Sequence, residues 1–222
     1  MPAVDGSALA LAEIRSAPGD ATALHEAESD ALLFAVEGSG SLALGGETAG
    51  LAPGSAALVL AGEQATLEAG GDGITVLVAT IGPDADRHAP IGPRELVTSL
   101  ASAESEKATG ARSFQVLFGP HNGSVRATLF AGFIPPGKAP WHYHLYDEIV
   151  WVPDGPGRLH IGDTATELGP GSAFRLRQRQ VHIVENESPA EMTVIGIITP
   201  AGSPSAAYLE PDVAAEYRFA GS

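Results

Sequence analysis

The sequence predicts an all-β chain of two similar domains in tandem, each built from short antiparallel strands. Three observations predict it. The chain repeats itself at one offset: Gly38, Gly40, Leu42 and Gly45 fall on Gly155, Gly157, Leu159 and Gly162. By the same shift Leu51, Pro53, Gly54, Ser55 and Ala56 fall on Leu168, Pro170, Gly171, Ser172 and Ala173, and Pro18 and Pro83 on Pro135 and Pro200. With 27 glycines some coincidence is expected, but one shift held from Pro18 to Pro83 without an insertion marks an internal duplication. Second, short apolar runs alternate with Gly and Pro clusters, the pattern of strands joined by turns. Third, 44% hydrophobic against 18% charged residues supplies a core and excludes a disordered chain.

In the first copy, strand signals fall at 8–14, 31–37, 41–44, 56–60, 65–68 and 74–81. Turns are expected at Gly38-Ser39-Gly40, Gly45-Gly46, Pro53-Gly54 and Gly70-Gly71-Asp72-Gly73. A seam follows. Pro93 is placed to open a short helix over 93–100, because its missing N–H and fixed φ suit an early helical position. The small polar residues 101–110 read as linker. In the second copy, strands are expected at 115–118, 125–134, around His142–His144, and at 148–152, 158–161, 173–176, 182–185 and 192–198. The tail 201–222 carries Tyr208, Tyr217 and Phe219, apolar anchors expected to pack on a sheet. The division is therefore residues 1–92 as the first domain, 93–112 as a short helical linker, and 113–222 as the second domain with its tail.

Charge limits the partners. Twelve basic against 27 acidic side chains give a net charge of −15, which excludes nucleic acid and anionic membrane as partners. There is no cysteine, hence no disulfide, thiolate ligand or thiol nucleophile. The first residues include Asp5 and Glu13, with no basic segment before an apolar run, so no signal-peptide pattern is present. No apolar stretch nears the ~20 residues of a membrane span. The expectation is a cytoplasmic protein, monomer or homodimer, with a small-molecule substrate.

Chemistry concentrates in Gly137-Lys138-Ala139-Pro140-Trp141-His142-Tyr143-His144-Leu145-Tyr146-Asp147-Glu148 and the apolar run after it. In a strand, residues two apart share a face, so His142 and His144 look the same way. Glu148, at an even spacing beyond, brings its carboxylate to that face. Two nitrogens and one oxygen then converge, and His182 is the candidate for a fourth ligand. The bland reading of such a histidine pair is two surface residues on an edge strand. The wider spacing favours ligands: G-x4-H-x-H-x3-E-x6-G from Gly137 to Gly155, then Gly171, Arg177, Arg179, His182 and Asn186 in G-x5-R-x-R-x2-H-x3-N.

These segments resemble the two signature motifs of the cupin superfamily, G-x5-H-x-H-x3or4-E-x6-G and G-x5-P-x-G-x2-H-x3-N. The first spacer is one residue short here, and Arg177 and Arg179 stand at the motif's Pro and Gly. The resemblance covers about 115–200 directly, and the first copy through the duplication. It implies two antiparallel jelly-roll barrels in tandem, a bicupin. It also implies one divalent metal ion per chain held by His142, His144, Glu148 and His182. In the first copy the same shift puts His25, Ala27, Ala31 and Ala65 at those places, so that domain is expected to bind no metal.

A mixed nitrogen and oxygen set suits Mn, Fe, Co, Ni, Cu or Zn rather than Ca or Mg. Around it, Val150, Val152, Phe174 and Leu176 are expected to give a dry wall. Trp141 and Tyr143 should face away. Tyr146 is the catalytic candidate, as a proton donor, against the plainer reading of a surface tyrosine at a barrel mouth. Arg175, Arg177 and Arg179 read as a solvated or interdomain stripe, and His121 and His160 as ordinary residues. Fold alone does not set function. The resemblance implies first a metal-dependent oxidoreductase of dioxygenase type acting on a small enolic, phenolic or keto substrate. A metal-dependent hydrolase, isomerase or decarboxylase comes second, and a non-catalytic binding or sensing protein third.

Overall fold

The computed structural model describes residues 8–108 and 111–209. Every regular element among them is a β-strand. The chain divides into two compact units. One comprises the residues up to Glu104 with Val116–Leu129 and Thr199–Gly202; the other comprises Ser105–Gln115, Phe130–Ile198 and the residues from Ser203.

The first unit contains β1 (Leu9–Ser16), β2 (Ala21–Leu24), β3 (Asp30–Leu44), β4 (Glu47–Leu51), β5 (Ser55–Val59), β6 (Ala65–Ile81) and β7 (Val97–Ser99). They form one antiparallel sheet in the order β1-β6-β3-β5-β7, with β2 on β6 and β4 on β3. The remaining strands are β8 (Ser105–Lys107), β9 (Ser113–Phe118), β10 (Thr128–Ile134), β11 (Gly137–Lys138), β12 (His142–His144), β13 (Asp147–Val152), β14 (Gly157–Ile161), β15 (Thr164–Leu168), β16 (Ser172–Leu176), β17 (His182–Asn186), β18 (Met192–Thr199) and β19 (Ala207–Leu209). They make two six-stranded sheets, β16-β13-β18-β10-β9-β8 and β15-β14-β17-β12-β19, with β11 on β17.

The duplication is visible in the ladders. Ala31 pairs with Val59 in β3–β5, and Glu148 with Leu176 in β13–β16. Gly40 pairs with Leu51 and Ala69, and Gly157 with Leu168 and Asn186. All are shifted by the offset read from the sequence. Gly45 and Gly162 both take positive φ, 60° and 54°, as do Gly54 and Gly171, 85° and 77°. These turns need the left-handed region that glycine enters without a Cβ penalty.

The copies differ where two expected turns do not form. Gly38–Gly40 and Gly70–Gly73 lie inside the long strands β3 and β6, which pair on through them with register shifts at Ala35/Glu37 and Gly38/Gly40. A side chain on Gly38 would run into the Gly73 carbonyl, and one on Gly40 into that of Glu68. The glycines therefore mark close backbone approach and bulging rather than chain reversal. In the second copy the same stretch is two strands, β13 and β14, in different sheets.

The helix expected from Pro93 is also absent. Val97–Ser99 pairs instead with Ser55–Ala57 of β5. Val97 and Thr98 are β-branched, and the free edge of β5 offers a ladder that a single helical turn cannot match. The polar β15, exposed at four of its five residues, carried no apolar signal; it is held by pairing with β14. In the tail, Tyr208 lies in β19, on a sheet as expected; Tyr217 and Phe219 lie outside the described residues.

The first unit's interior is filled. Ala31, Ala65 and Ala69 are buried in one cluster with Leu33, Leu42, Leu67, Ile74 and Val76. Fully burying such a Leu, Ile or Val side chain contributes about 1.5–3 kcal/mol. The second unit's cluster joins Ile134, Val150, Val152, Leu159, Leu168, Leu176, Val184, Met192 and Val194. Its strands leave room inside, and the polar cluster sits there.

Candidate metal centre

Three short elements bring the site together. In β12 His142 and His144 are buried while Tyr143 between them is turned away, stacked on Tyr208 at 5.5 Å. β12 pairs with β17 so that His142 stands directly opposite His182, and opposed residues share a face. Glu148 comes from β13 in the other sheet. His142, His144 and His182 offer ring nitrogens that all lie within 4.8 Å of one another. Glu148 is outside that tight group, but its Oε2 is 3.7 Å from His144 Nε2.

His182 depends on the turn before it. Gln180 N donates to Arg177 O at 3.0 Å, and Arg177 N to Gln180 Oε1 at 2.9 Å. Arg179 sits at φ 62°, the left-handed conformation that the glycine of the cupin motif would supply without strain. Its N–H donates to His144 O at 2.7 Å, tying the turn to the strand that carries the other two histidines. Beyond His182, the buried Asn186 donates to Ile134 O and Ala190 O and accepts from Ser188 N, fixing the far end of β17.

The arrangement fits a divalent metal ion. Nδ1 of His142 is 2.8 Å from Pro140 O, and Nδ1 of His182 is 2.9 Å from Gln180 O. A carbonyl can only accept, so each Nδ1 carries the proton and each Nε2 keeps its lone pair for the site; this is how ligand imidazoles are oriented. His144 Nδ1 makes no hydrogen bond of ordinary geometry, although the Ala206 backbone favours its charged form.

Burial, with His182 and Arg112 adding repulsion, lowers His142 to about 2 and His144 to about 3; burial, against the Gln180 carbonyl, lowers His182 to about 4. All three are neutral at ordinary pH, as ligands must be. Burial pushes Glu148 up to about 7, with the Arg112 charge opposing. A carboxylate so placed wants a cation beside it.

The site opens on a cavity of about 80 Å³. Its walls include Phe114, Phe130, Val150, Leu176 and Val184, with the histidines, Glu148, Tyr146 and Arg112 as the polar residues that matter. The expected dry wall is thus present at Val150 and Leu176. Tyr146 is not a surface residue. It is 7% exposed, stacks on His144 at 4.6 Å and donates to Pro204 O at 3.2 Å, because the chain from Pro204 to Ala207 passes over the site. Burial and the nearby Glu148 charge raise its hydroxyl well above the usual phenol range, so it stays protonated.

Arg112 is the residue that sequence reasoning missed. It fell in the segment read as linker, 30 positions before His142, and no motif spacing reaches it. Arg175, Arg177, Arg179 and His160 do not line the cavity. Arg175 pairs with Asp147 at 3.5 Å, and Arg177 and Arg179 are exposed. His160 pairs with Glu185 at 2.7 Å, with Trp141 edge-on to its ring. In the first unit His25 is exposed, its Nδ1 lies 2.9 Å from the Glu63 carbonyl oxygen, and Ala27, Ala31 and Ala65 stand at the other equivalent places.

Comparison with known proteins agrees with this architecture. The cupin domain family matches residues 131–198. No curated protein sequence matches the chain. Among solved structures, the oxalate decarboxylase formate complex of Lactobacillus farciminis is similar at TM-score 0.77 and 11% identity, over 95% of this chain and 82% of that one. Oxalate decarboxylase of Bacillus subtilis is similar at TM-score 0.75 and 13% identity, over 97% and 75%. Identities this low speak to the fold. Residues 131–198 match the cupin domain family, and over nearly its whole length the chain shares the fold of the oxalate decarboxylase structures.

Proposed function

We propose that this protein is a metal-dependent enzyme that transforms a small oxygenated organic molecule inside its second barrel. In this reading His142, His144, Glu148 and His182 hold one divalent transition metal ion. When bound, such an ion supplies Lewis-acid chemistry and a place for dioxygen or a chelating oxygen ligand. The chain's own residues do the rest. The Pro140 and Gln180 carbonyls fix the ring orientation of two ligands. The apolar walls exclude water and so strengthen every charge interaction within. Tyr146 keeps its proton at Oη, beside His144, as a hydrogen-bond donor for substrate.

The reaction we infer is oxidation of dioxygenase type on an enolic, phenolic or keto substrate. The observation that carries it is the cavity's make-up: one polar pole on otherwise apolar walls. Such a cavity suits a molecule with an oxygenated head and an apolar body. A second reading, decarboxylation, is favoured by the similarity to oxalate decarboxylases over nearly the whole chain. Oxalate itself has no apolar body to place against Phe114, Phe130 and Val184. Dioxygen uptake by the Fe(II)-loaded protein, across a panel of small enols, phenols and keto acids, tests the choice. Substrate-dependent uptake supports oxidation; carbon dioxide release without uptake would replace it by decarboxylation.

A further inference from the structure

We propose that Phe130 sets the size of the substrate's apolar body, and that the substrate is therefore a short aliphatic enol or keto compound rather than a phenol. The inference deepens the reading of this cavity as the substrate site and rests on it. Phe130 lies in β10, and β18 separates that strand from β13, which carries Glu148. Two steps at the ~4.8 Å spacing of strands put its backbone on the order of 10 Å from the strand of Glu148. Its side chain is 6% exposed and lines the cavity.

Two glycines decide where that ring lies. Gly132 in β10 and Gly196 in β18 are both inside strands, where glycine weakens the ladder. Neither has a positive φ, so the backbone conformation does not require glycine at either position. Space does. A Cβ on Gly196 would overlap the Phe130 ring at Cζ and Cε1, and one on Gly132 would meet Val194 Cγ2 at 2.9 Å. The ring thus rests on the bare backbone of β18. Gly132 and Val194 line the cavity with Phe130, and Gly196 is not among the lining residues. A ring seated on close-packed backbone has nowhere to withdraw when a larger guest arrives. The space in front of it is small, about 80 Å³, against the ~150 Å³ of an engineered apolar cavity that takes up benzene. An oxygenated head already needs part of that space. What remains suits a body of a few carbons and has no place for a six-membered ring.

The alternative is that Phe130 only fills the core above Gly196. Three hydroxamates separate the two, since they share one chelating head and differ in body: acetohydroxamate, butanohydroxamate and benzohydroxamate. Wild type, Phe130→Ala, Phe130→Leu and Gly196→Ala are loaded with Co(II), and each probe is titrated against the visible cobalt spectrum. Wild type should bind butanohydroxamate more tightly than acetohydroxamate, by about fourfold for each methylene that finds room, and benzohydroxamate at least about tenfold more weakly than butanohydroxamate. Phe130→Ala should bring benzohydroxamate level with butanohydroxamate or above it, and Phe130→Leu should fall between. Gly196→Ala drives the ring into the cavity and should lose butanohydroxamate affinity. Acetohydroxamate, too short to reach the ring, should bind all four proteins alike. Phe130→Leu, the smaller change to the core, decides if Phe130→Ala does not fold.

Benzohydroxamate bound by wild type as tightly as butanohydroxamate would overturn the proposal. So would an order of affinities unchanged in the Phe130 variants, the result expected of a ring that only fills the core, or cobalt-loaded wild type that binds none of the three. The readout is binding, so it stands apart from whether the reaction is oxidation or decarboxylation. If wild type takes up no cobalt, the metal reading fails separately, and benzene decides the role of Phe130. Benzene should then raise the melting temperature of metal-free Phe130→Ala and leave that of metal-free wild type unchanged. A rise in both, or in neither, would overturn the proposal.

Discussion

Arg179→Gly should stabilise the protein, although it removes a large side chain from the turn that precedes His182. Arg179 is exposed, and its backbone holds φ 62°. A non-glycine residue in that region costs about 1–2 kcal/mol relative to the ordinary helical region. Glycine relieves that cost but gives back about 0.5–1 kcal/mol through the greater freedom of its unfolded chain. The central net gain is about 0.75 kcal/mol, within a span of about 0 to 1.5, a rise of roughly 2–3 °C in melting temperature for a chain of this size. The N–H to His144 O bond survives, so His182 keeps its place and metal affinity is unchanged. Arg179→Pro is the counterpart. Proline is locked near φ −65° and has no N–H, so it cannot hold this turn or donate to His144 O. It should lower the melting temperature and cost metal affinity together. Differential scanning calorimetry with and without metal, on all three proteins, reads both effects. A melting temperature for Arg179→Gly at or below wild type would refute the strain argument. Intact metal affinity in Arg179→Pro would refute the coupling of the turn to His182.

Other consequences are as direct. His144→Ala should abolish stoichiometric metal binding and leave the far-UV circular dichroism intact, since the first unit packs its core with Ala31 and Ala65 buried at ligand-equivalent positions; full metal occupancy in the variant would misplace the site. Tyr146→Phe keeps the stacking on His144 and loses only the bond to Pro204 O, so it should cost about 1 kcal/mol in urea melts and nothing in metal affinity. The metal-free protein should lose stability on acidification from about pH 6.5 towards 4.5. The three histidines have folded values of about 2, 3 and 4, below the unfolded 6.5, so there the unfolded chain binds three protons that the folded one does not. Glu148, raised from 4.5 to about 7, binds one proton in the folded state over the same window and opposes them. The net difference of two protons gives at most about 2.7 kcal/mol per pH unit. Urea midpoints equal at pH 6.5 and 5 would contradict this.

Much of this was legible in the sequence because strand geometry is short-ranged. Two residues apart means one face, so the conjunction of His142 and His144 needed only the alternation. The duplication survived as glycines and prolines because turns with positive φ, such as Gly54 and Gly171, leave little choice of residue. Three features were not legible, each for a tertiary reason. Gly38–Gly40 reads locally as a turn, and only the carbonyls of the opposing strand show why glycine is needed inside β3. The segment at Pro93 has a helix opening, but the open edge of β5 outbids one turn of helix. Arg112 and the burial of Tyr146 depend on chain segments brought over the cavity from about 30 and 60 positions away, which no local pattern encodes.

The central claim is that one metal ion sits among His142, His144, Glu148 and His182. Crystals of metal-loaded protein, with diffraction recorded on both sides of the metal's absorption edge, test it most directly. The account predicts a single anomalous peak per chain, about 2.0–2.2 Å from one ring nitrogen of each histidine and from a Glu148 oxygen. No peak there, or a second one of equal height in the first unit near His25, would contradict it.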